Sequence, residues 1–279
     1  MSVTLSAAVG ERRYALSMTE DFLHTTLPIL GNRTHRLGLA CSFGIDNAGI
    51  ETALTERGLG FVFWTPRQKG GEALKAALQR DRDSVVLMSG PTTAHWKGNL
   101  TRYVDKLLKR FDIEYLDVLM TFWVGVTSSL SESRFRELEA LRSSGKVRAI
   151  GCSIHDREHA GRLAADSPLD LLMIRYNAAH PGAEQDIFPH LTTDRPRIIL
   201  AYTATRWRKL LQRPRGWDGE IMSAADCYRF CLSNPNVHAV LTGPKSLEML
   251  DENLAGIQAG PLSPEEDAWM REFGKVVRG

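Results

Sequence analysis

The sequence lacks features that would mark several classes of protein. Only four of its 279 residues are cysteine, and none are spaced Cys-x-x-Cys as a zinc or redox site would require. Cys227 and Cys231 are four residues apart on a predicted helix, but no third or fourth suitable ligand accompanies them. We therefore expect reduced, buried thiols and no metal site.

Excess charge of one sign and long apolar runs are also missing. The 35 basic and 33 acidic residues are mixed along the chain, and a formal charge of +2 indicates no nucleic-acid partner. No run approaches the ~18 apolar residues of a membrane span, and the N-terminus has no signal-peptide pattern. We expect a soluble cytoplasmic protein that acts on a small molecule away from membranes, with its oligomeric state undetermined.

What the sequence does contain is a repeated βα pattern. Short apolar, β-branched stretches bounded by Gly, Pro, Asp or Asn alternate with amphipathic segments. Eight such strands are predicted, beginning at Arg36, Gly60, Ser84, Leu116, Val147, Leu171, Arg197 and Val237. Eight parallel strands close a barrel, so we predict an α/β fold of the (β/α)₈ TIM-barrel type, with residues 1–279 as one domain.

Two helices between these strands are especially clear. Residues 99–110 have apolar side chains at helical spacing, and residues 131–143 precede a helix-ending Gly145. An open doubly wound sheet would also alternate strands and helices, but no G-x-G-x-x-G turn follows the first strand. Residues 1–32 fit no βα unit and are predicted to form an N-terminal cap or hairpin.

Several segments form recognisable motifs, among them Arg110-Phe-Asp-Ile-Glu-Tyr-Leu-Asp-Val-Leu, Arg175-Tyr-Asn and Gly145-Lys-Val-Arg-Ala-Ile-Gly-Cys-Ser. They resemble the aldo-keto reductases, in the order and spacing of that family, and the segment that begins at Gly145 is the most specific. The resemblance extends from about Leu30 to the end. It implies an NADPH-dependent carbonyl reductase in which a Tyr protonates the substrate oxygen with help from a Lys, an Asp and a His.

The sequence departs from that pattern at all four catalytic positions. Phe63 or Trp64 replaces the family's Asp, and its Tyr falls near Gln68 or Lys69. Gly90 aligns with the Lys and Phe122 with the His. Because a tyrosine donates a proton at neutral pH only if a nearby group tunes its pKa, this chain would need another proton donor.

Residues that follow strand ends are the replacement candidates, because barrel active sites lie at that face. We consider His155, Tyr176 and Lys69 as proton donors. The resemblance makes Ser153 and Tyr176 contacts of the nicotinamide, although Ile154, Met173 and Met249 replace other family contacts. Further cofactor contacts are expected at Thr203, Arg206, Gly243, Lys245, Ser246, Glu252 and Asn253, and a substrate pocket at Trp64, Phe122, Trp123, Arg175, Asn177 and His180.

Structural roles compete with each of these assignments. Arg175 and Asn177 are equally compatible with satisfying backbone groups, and Lys245 with a solvated surface charge. His155 is also compatible with a loop histidine bonded to a carbonyl. Trp64, Phe122 and Trp123 are compatible with simple packing or with an apolar pocket floor.

Three alternative functions are compatible with these features of the sequence. The first is an NADP(H)-dependent oxidoreductase that reduces a carbonyl, imine or conjugated small molecule with a non-standard proton donor, histidine being the natural substitute near neutral pH. The second is a non-redox catalyst in a repurposed barrel pocket. The third is a pseudoenzyme that binds NADP(H) or a partner protein. We favour an enzyme over a sensor.

Overall fold

Eight parallel strands close into a barrel in a computed structural model that describes residues 21–92, 98–125 and 130–279. The predicted fold class is confirmed, and each of the eight predicted strands is present. An antiparallel hairpin, β1 (His24–Thr26) and β2 (Arg33–His35), precedes the barrel. The barrel strands are β3 (Leu37–Ala40), β4 (Phe61–Phe63), β5 (Val86–Ser89), β6 (Leu116–Val124), β7 (Val147–Ile154), β8 (Leu171–Arg175), β9 (Ile198–Tyr202) and β10 (Ala239–Thr242).

Helices follow the strands, and the sequence explains their ends. The side chain of Asn99 accepts the backbone N–H of Arg102 and begins α3, while Ser131 does the same for α4. Gly145 has a φ of +77°, which a glycine adopts without strain. The described helices are α1 (Asn47–Thr55), α2 (Gly71–Arg80), α3 (Leu100–Phe111), α4 (Glu132–Ser143), α5 (Arg157–Ala165), α6 (Ala183–Asp186), α7 (Ala224–Ser233), α8 (Leu247–Ile257) and α9 (Pro264–Arg278).

Strand alternation divides the apolar side chains into two layers. On β8, Leu171 and Met173 pack inside the barrel, whereas Leu172, Ile174 and Tyr176 pack between the barrel and its helices. Successive side chains of a strand point to opposite faces, so Arg175 at the end of β8 belongs to the inner set. This alternation decides which strand-end residues can reach a ligand bound at the C-terminal ends of the barrel strands, the end that we call the mouth.

The hairpin closes the N-terminal end of the barrel, opposite the mouth. Leu27 and Leu30, in its connecting loop, are packed into the inner cluster. The guanidinium of Arg148 donates to the carbonyl oxygen of Leu30, at 2.5 Å, and forms an ion pair with the fully buried Asp117. The expected cap is thus described over residues 21–32, and residues 1–20 lie outside the described part.

No helix in the described ranges is long and apolar enough to cross a membrane.

Candidate active site

Three adjacent strands place polar side chains in a row across the mouth. Arg175 of β8 is paired in register with Tyr202 of β9, and Ile154 of β7 is paired with Ile174. His155 follows Ile154 directly, which puts it beside Arg175 at the same level. The barrel register therefore brings His155, Arg175 and Tyr202 together from segments far apart in the chain.

A short hydrogen bond joins two members of this row. The hydroxyl of Tyr202 lies 2.6 Å from Nε2 of His155, with the rings packed edge to face at 5.6 Å. Partial burial, and secondarily the charge of Arg175, lower the pKa of His155 below its usual 6.5. Burial raises the pKa of Tyr202, and Arg175 partly opposes that rise. At neutral pH both groups are therefore uncharged, and the pair can share and pass a proton.

Trp123 packs against the His155 side chain of this pair. Its indole stacks on the His155 ring with centroids 5.5 Å apart, and 37% of Trp123 remains exposed. The backbone of Trp123 has a φ of +60°, a left-handed conformation that is unusual for a bulky residue. Its N–H donates to the buried hydroxyl of Ser153 at 3.2 Å. The hydroxyl of Ser153 thus lies in the mouth, where it was expected to contact the nicotinamide, and it also holds the backbone of Trp123.

An apolar floor lies beside the polar row. Phe63 and Phe122 pack with ring centroids 5.4 Å apart. A Cβ atom added to Gly90 would collide with the carbonyl oxygen of Met120 and lie 3.1 Å from the Phe122 ring. The resemblance places the family's Asp at Phe63 or Trp64, its Lys at Gly90 and its His at Phe122. Hydrocarbon and backbone fill them here, so they can hold an apolar group but transfer no proton.

Tyr176, expected to face the nicotinamide or donate a proton, lies on the outer side of the wall. It is 1% exposed, its hydroxyl donates to Glu184 at 2.6 Å, and Asn234 donates to the same oxygen. Burial and the hydrogen bond to Glu184 raise the pKa of Tyr176. The structure does not bring Tyr176 together with His155, and the tyrosine that contacts His155 in the mouth is Tyr202.

Trp64 and Lys69 also lie away from the polar row. Trp64 is fully buried against Phe111, and its indole N–H donates to the carbonyl oxygen of Lys69 at 2.9 Å. The side chain of Lys69 is exposed beside a separate cavity of 440 Å³ that is also lined by Asp46 and Arg110. Trp64 therefore has a packing role, and no contact among the described residues joins Lys69 to His155 or Tyr202.

Asn177 and His180 organise the loop after β8. The side-chain oxygen of Asn177 accepts the N–H groups of Ala179 and His180, and its amide donates to the carbonyl of Thr203. Burial, with several nearby arginines, lowers the pKa of His180 to about 4. Arg206 also has a structural role, because its guanidinium donates to the backbone carbonyl oxygens of Val277 and Arg278 at the C-terminal end of α9.

The segment after β10 combines a helix N-terminus with an exposed lysine. The first N–H groups of α8, like those of any helix, have no intrahelical acceptors, and the hydroxyl of Ser246 accepts one of them, the N–H of Met249. Lys245 is exposed and has no ion-pair partner in the described residues. The exposed ring of Phe43 lies against Gly243, and Glu248 in the first turn adds a negative charge. The donors present fit a phosphate, with Glu248 as an opposing charge.

The two remaining candidates of this segment differ in burial. Glu252 is exposed on α8, whereas Asn253 is buried and donates to the hydroxyl of Thr242 at 3.4 Å. Thr242 in turn is bonded to the hydroxyl of Tyr228. Asn253 therefore ties α8 to the end of β10, while Glu252 is accessible to a ligand.

Comparison with known proteins identifies the class of barrel. The sequence model described as the Aldo/keto reductase family matches residues 66–206, half of the chain. The chain belongs to the aldo/keto reductase family, as its sequence motifs predicted.

Two curated relatives match over part of their length. Aldo-keto reductase YhdN of Bacillus subtilis (strain 168) is 25% identical over 140 residues, which are 47% of this chain and 41% of that protein. The NADH-specific methylglyoxal reductase of Escherichia coli (strain K12) is 29% identical over 99 residues, 34% of this chain and 30% of that protein. The alignments thus cover less than half of either relative.

Solved structures agree with the fold over nearly the whole chain. The holo form of aldo-keto reductase AKR11C1 from Bacillus halodurans superposes with a TM-score of 0.73 at 18% identity, covering 92% of this chain and 99% of that one. Glycerol dehydrogenase AKR11B4 from Gluconobacter oxydans gives 0.71 at 18% identity, covering 92% and 97%. At this identity the likeness shows the shared barrel.

Proposed function

We propose that this chain is an NADP(H)-dependent oxidoreductase that reduces a carbonyl, imine or conjugated small molecule, with the Tyr202–His155 pair as its proton donor. The observation that carries the proposal is the 2.6 Å hydrogen bond between these side chains in the mouth of an aldo/keto reductase barrel. The aromatic surfaces of Trp123 and Phe122 beside it provide a substrate platform.

The pair can deliver a proton without becoming charged beforehand. When the hydrogen of His155 is on Nε2, it donates to the Tyr202 oxygen and leaves the phenol hydrogen directed elsewhere. That hydrogen can pass to a substrate oxygen on which negative charge develops, and His155 then stabilises the phenolate by the same hydrogen bond. A bound reduced nicotinamide would supply the hydride. Hydride and proton together complete the reduction of the double bond.

The proposed cofactor site uses the segment after β10. Lys245 and the N-terminus of α8 would hold a phosphate of NADP(H), and Glu252 would contact the adenosine portion. The mouth ring of Tyr202 would contact the nicotinamide. The preference for NADP(H) over NAD(H) rests on the exposed ammonium of Lys245, because a 2′-phosphate adds negative charge at that end.

Titration with NADPH, followed by cofactor fluorescence, tests this proposal. We expect saturable binding that weakens at least several-fold in Lys245→Ala. Lys109→Ala, which removes an exposed charge from α3, is the matched control and should bind as the unmodified protein does. NADH should bind more weakly than NADPH and should lose little affinity in Lys245→Ala. Absence of nicotinamide binding at saturating concentrations would refute the oxidoreductase.

A second candidate is a binder of NADP(H) without turnover. It is favoured by the raised pKa of Tyr202 and the lowered pKa of His155, because neither group is a strong acid at neutral pH. This candidate predicts tight NADPH binding without oxidation of the cofactor across a panel of aldehydes, imines and conjugated carbonyls. Hydride transfer to any of them would exclude it.

A further inference from the structure

Arg175 is a charged side chain in the mouth for which the described part of the chain supplies no partner. It makes no hydrogen bond, ion pair or ring contact with any residue in the described ranges, although it is only partly exposed. Many other arginines of the chain are paired: Arg148 with Asp117, Arg229 with Glu266 and Arg271 with Glu184. A partly desolvated guanidinium without a partner leaves five directional donors available to a ligand.

No acidic side chain among the described residues forms an ion pair with Arg175. His155 and Tyr202, its neighbours in the strand register, are uncharged, and Met173 lies below it on the inner face. The aromatic rings of Trp123 and Phe122 belong to the same mouth. The combination of one cation with flat apolar surfaces is complementary to a planar molecule that carries an anionic group.

We propose that Arg175 binds a carboxylate of the substrate and so restricts the enzyme to aromatic or conjugated carbonyl compounds that bear one. This inference rests on the proposed oxidoreductase and narrows its substrate class. A guanidinium pairs a carboxylate with two parallel hydrogen bonds, which also fixes the orientation of the attached ring. The reducible group would then be directed toward Tyr202 rather than into solvent.

The same charge disfavours one of the alternative substrates. An imine is reduced most readily as the protonated iminium, and that cation would be repelled by Arg175 in a partly desolvated mouth. A neutral carbonyl compound is not repelled by Arg175, and a carbonyl compound that carries a carboxylate is attracted to it. The charge of Arg175 therefore selects carbonyl over imine chemistry.

The first test measures benzoate binding by calorimetry without any cofactor. We expect benzoate to bind the wild-type protein and benzamide, its uncharged analogue, to bind much more weakly. Arg175→Met should weaken benzoate binding about 10- to 100-fold, as loss of a charged hydrogen-bonded pair predicts. Arg175→Lys should retain part of the affinity. Arg162→Met, at an exposed position on α5, is the matched control and should bind as wild type.

Three results would overturn the inference: no benzoate binding, equal binding of benzamide, or undiminished binding by Arg175→Met. A thermal melt of each variant confirms that it is folded. Because no nicotinamide is present, a failure here leaves the proposed oxidoreductase standing, and a failure to bind NADPH leaves the benzoate result interpretable.

A second test asks whether the anionic group that Arg175 binds belongs to the substrate or to the cofactor. Arg175→Met should bind NADPH within about twofold of the wild type, since the cofactor phosphates would lie near Lys245. Its KM for 4-carboxybenzaldehyde should rise at least tenfold, while that for benzaldehyde should change little. Equal losses for both aldehydes, or a parallel loss of NADPH affinity, would assign Arg175 to the cofactor and overturn the proposal.

Discussion

Gly90 and Met120 approach so closely that a Cβ atom on Gly90 would overlap the carbonyl oxygen of Met120. The obstruction is backbone, so it cannot be relieved by rotating a side chain. Gly90 stands where the resemblance places the family's Lys. A side chain introduced at position 90 would therefore require the backbone of the barrel wall to shift.

Gly90→Ala is accordingly expected to lower the free energy of unfolding by about 1 to 3 kcal/mol, because the wall must shift to admit one methyl group. Urea denaturation measures the change. Gly71→Ala is the matched control: its new Cβ would be crowded mainly by the flexible end of Arg110, within a helix that favours Ala. A Gly90→Ala protein as stable as the Gly71→Ala protein would contradict the close contact.

Tyr202→Phe should reduce kcat about 10²- to 10⁴-fold, the usual contribution of a positioned acid, because it removes the transferable proton and keeps the ring. NADPH affinity should remain within about twofold. Tyr115→Phe, at the N-terminal end of β6, is the control and should leave kcat unchanged. If Tyr202→Phe kept full kcat on a substrate that the wild type reduces, the proton would come from another group.

Glu248→Gln should tighten NADPH binding several-fold. Glu248 is in the first turn of α8, where its charge opposes a phosphate held by Lys245, and a hydrogen bond from Ser246 lowers its pKa and keeps it ionised. Fluorescence titration at low and high salt measures the effect, which should shrink as salt screens the repulsion. Unchanged affinity at low salt would place the phosphate elsewhere.

Acidification from pH 7 to pH 5 should destabilise the fold through His35 and His238. Burial lowers the pKa of each to about 4, and each Nδ1 accepts a backbone N–H, from Leu37 and Ile199 respectively. Between about pH 6.5 and pH 4 the unfolded chain therefore binds more protons, so stability falls as pH falls. At pH 5 this amounts to about 2 kcal/mol per histidine.

Urea denaturation at the two pH values provides the measurement. His238→Gln keeps an acceptor for Ile199 and cannot take up the proton, so its stability should depend less on pH. His190→Gln, at an exposed position, should retain the wild-type dependence. Identical pH dependence in all three proteins would show that neither buried histidine is responsible.

Local patterns were sufficient to predict much of this fold. The eight apolar stretches, from Leu37–Ala40 to Ala239–Thr242, became the barrel strands because β-branched runs bounded by turn residues have few other ways to be buried. Asn99 and Gly145 marked helix ends through capping and positive φ, which are properties of single residues.

The site was less accessible to such reasoning. Tyr176 and Tyr202 both follow barrel strands, and position along the chain gave no reason to prefer the second. The parity of β8 was a usable signal: Leu171, Met173 and Arg175 alternate inward, so Tyr176 had to point outward. No local pattern could indicate that Trp123 would bend into a left-handed conformation and stack on His155.

By itself, then, the sequence determined the barrel and its family, because hydrophobic periodicity, caps and motifs are local in the chain. Only the tertiary structure decided which strand-end side chains meet. His155 and Tyr202 are 47 residues apart, and they share a hydrogen bond because closure of the barrel sets the register of β7, β8 and β9. That register is a property of all eight strands together, and it also sets Arg175 between His155 and Tyr202.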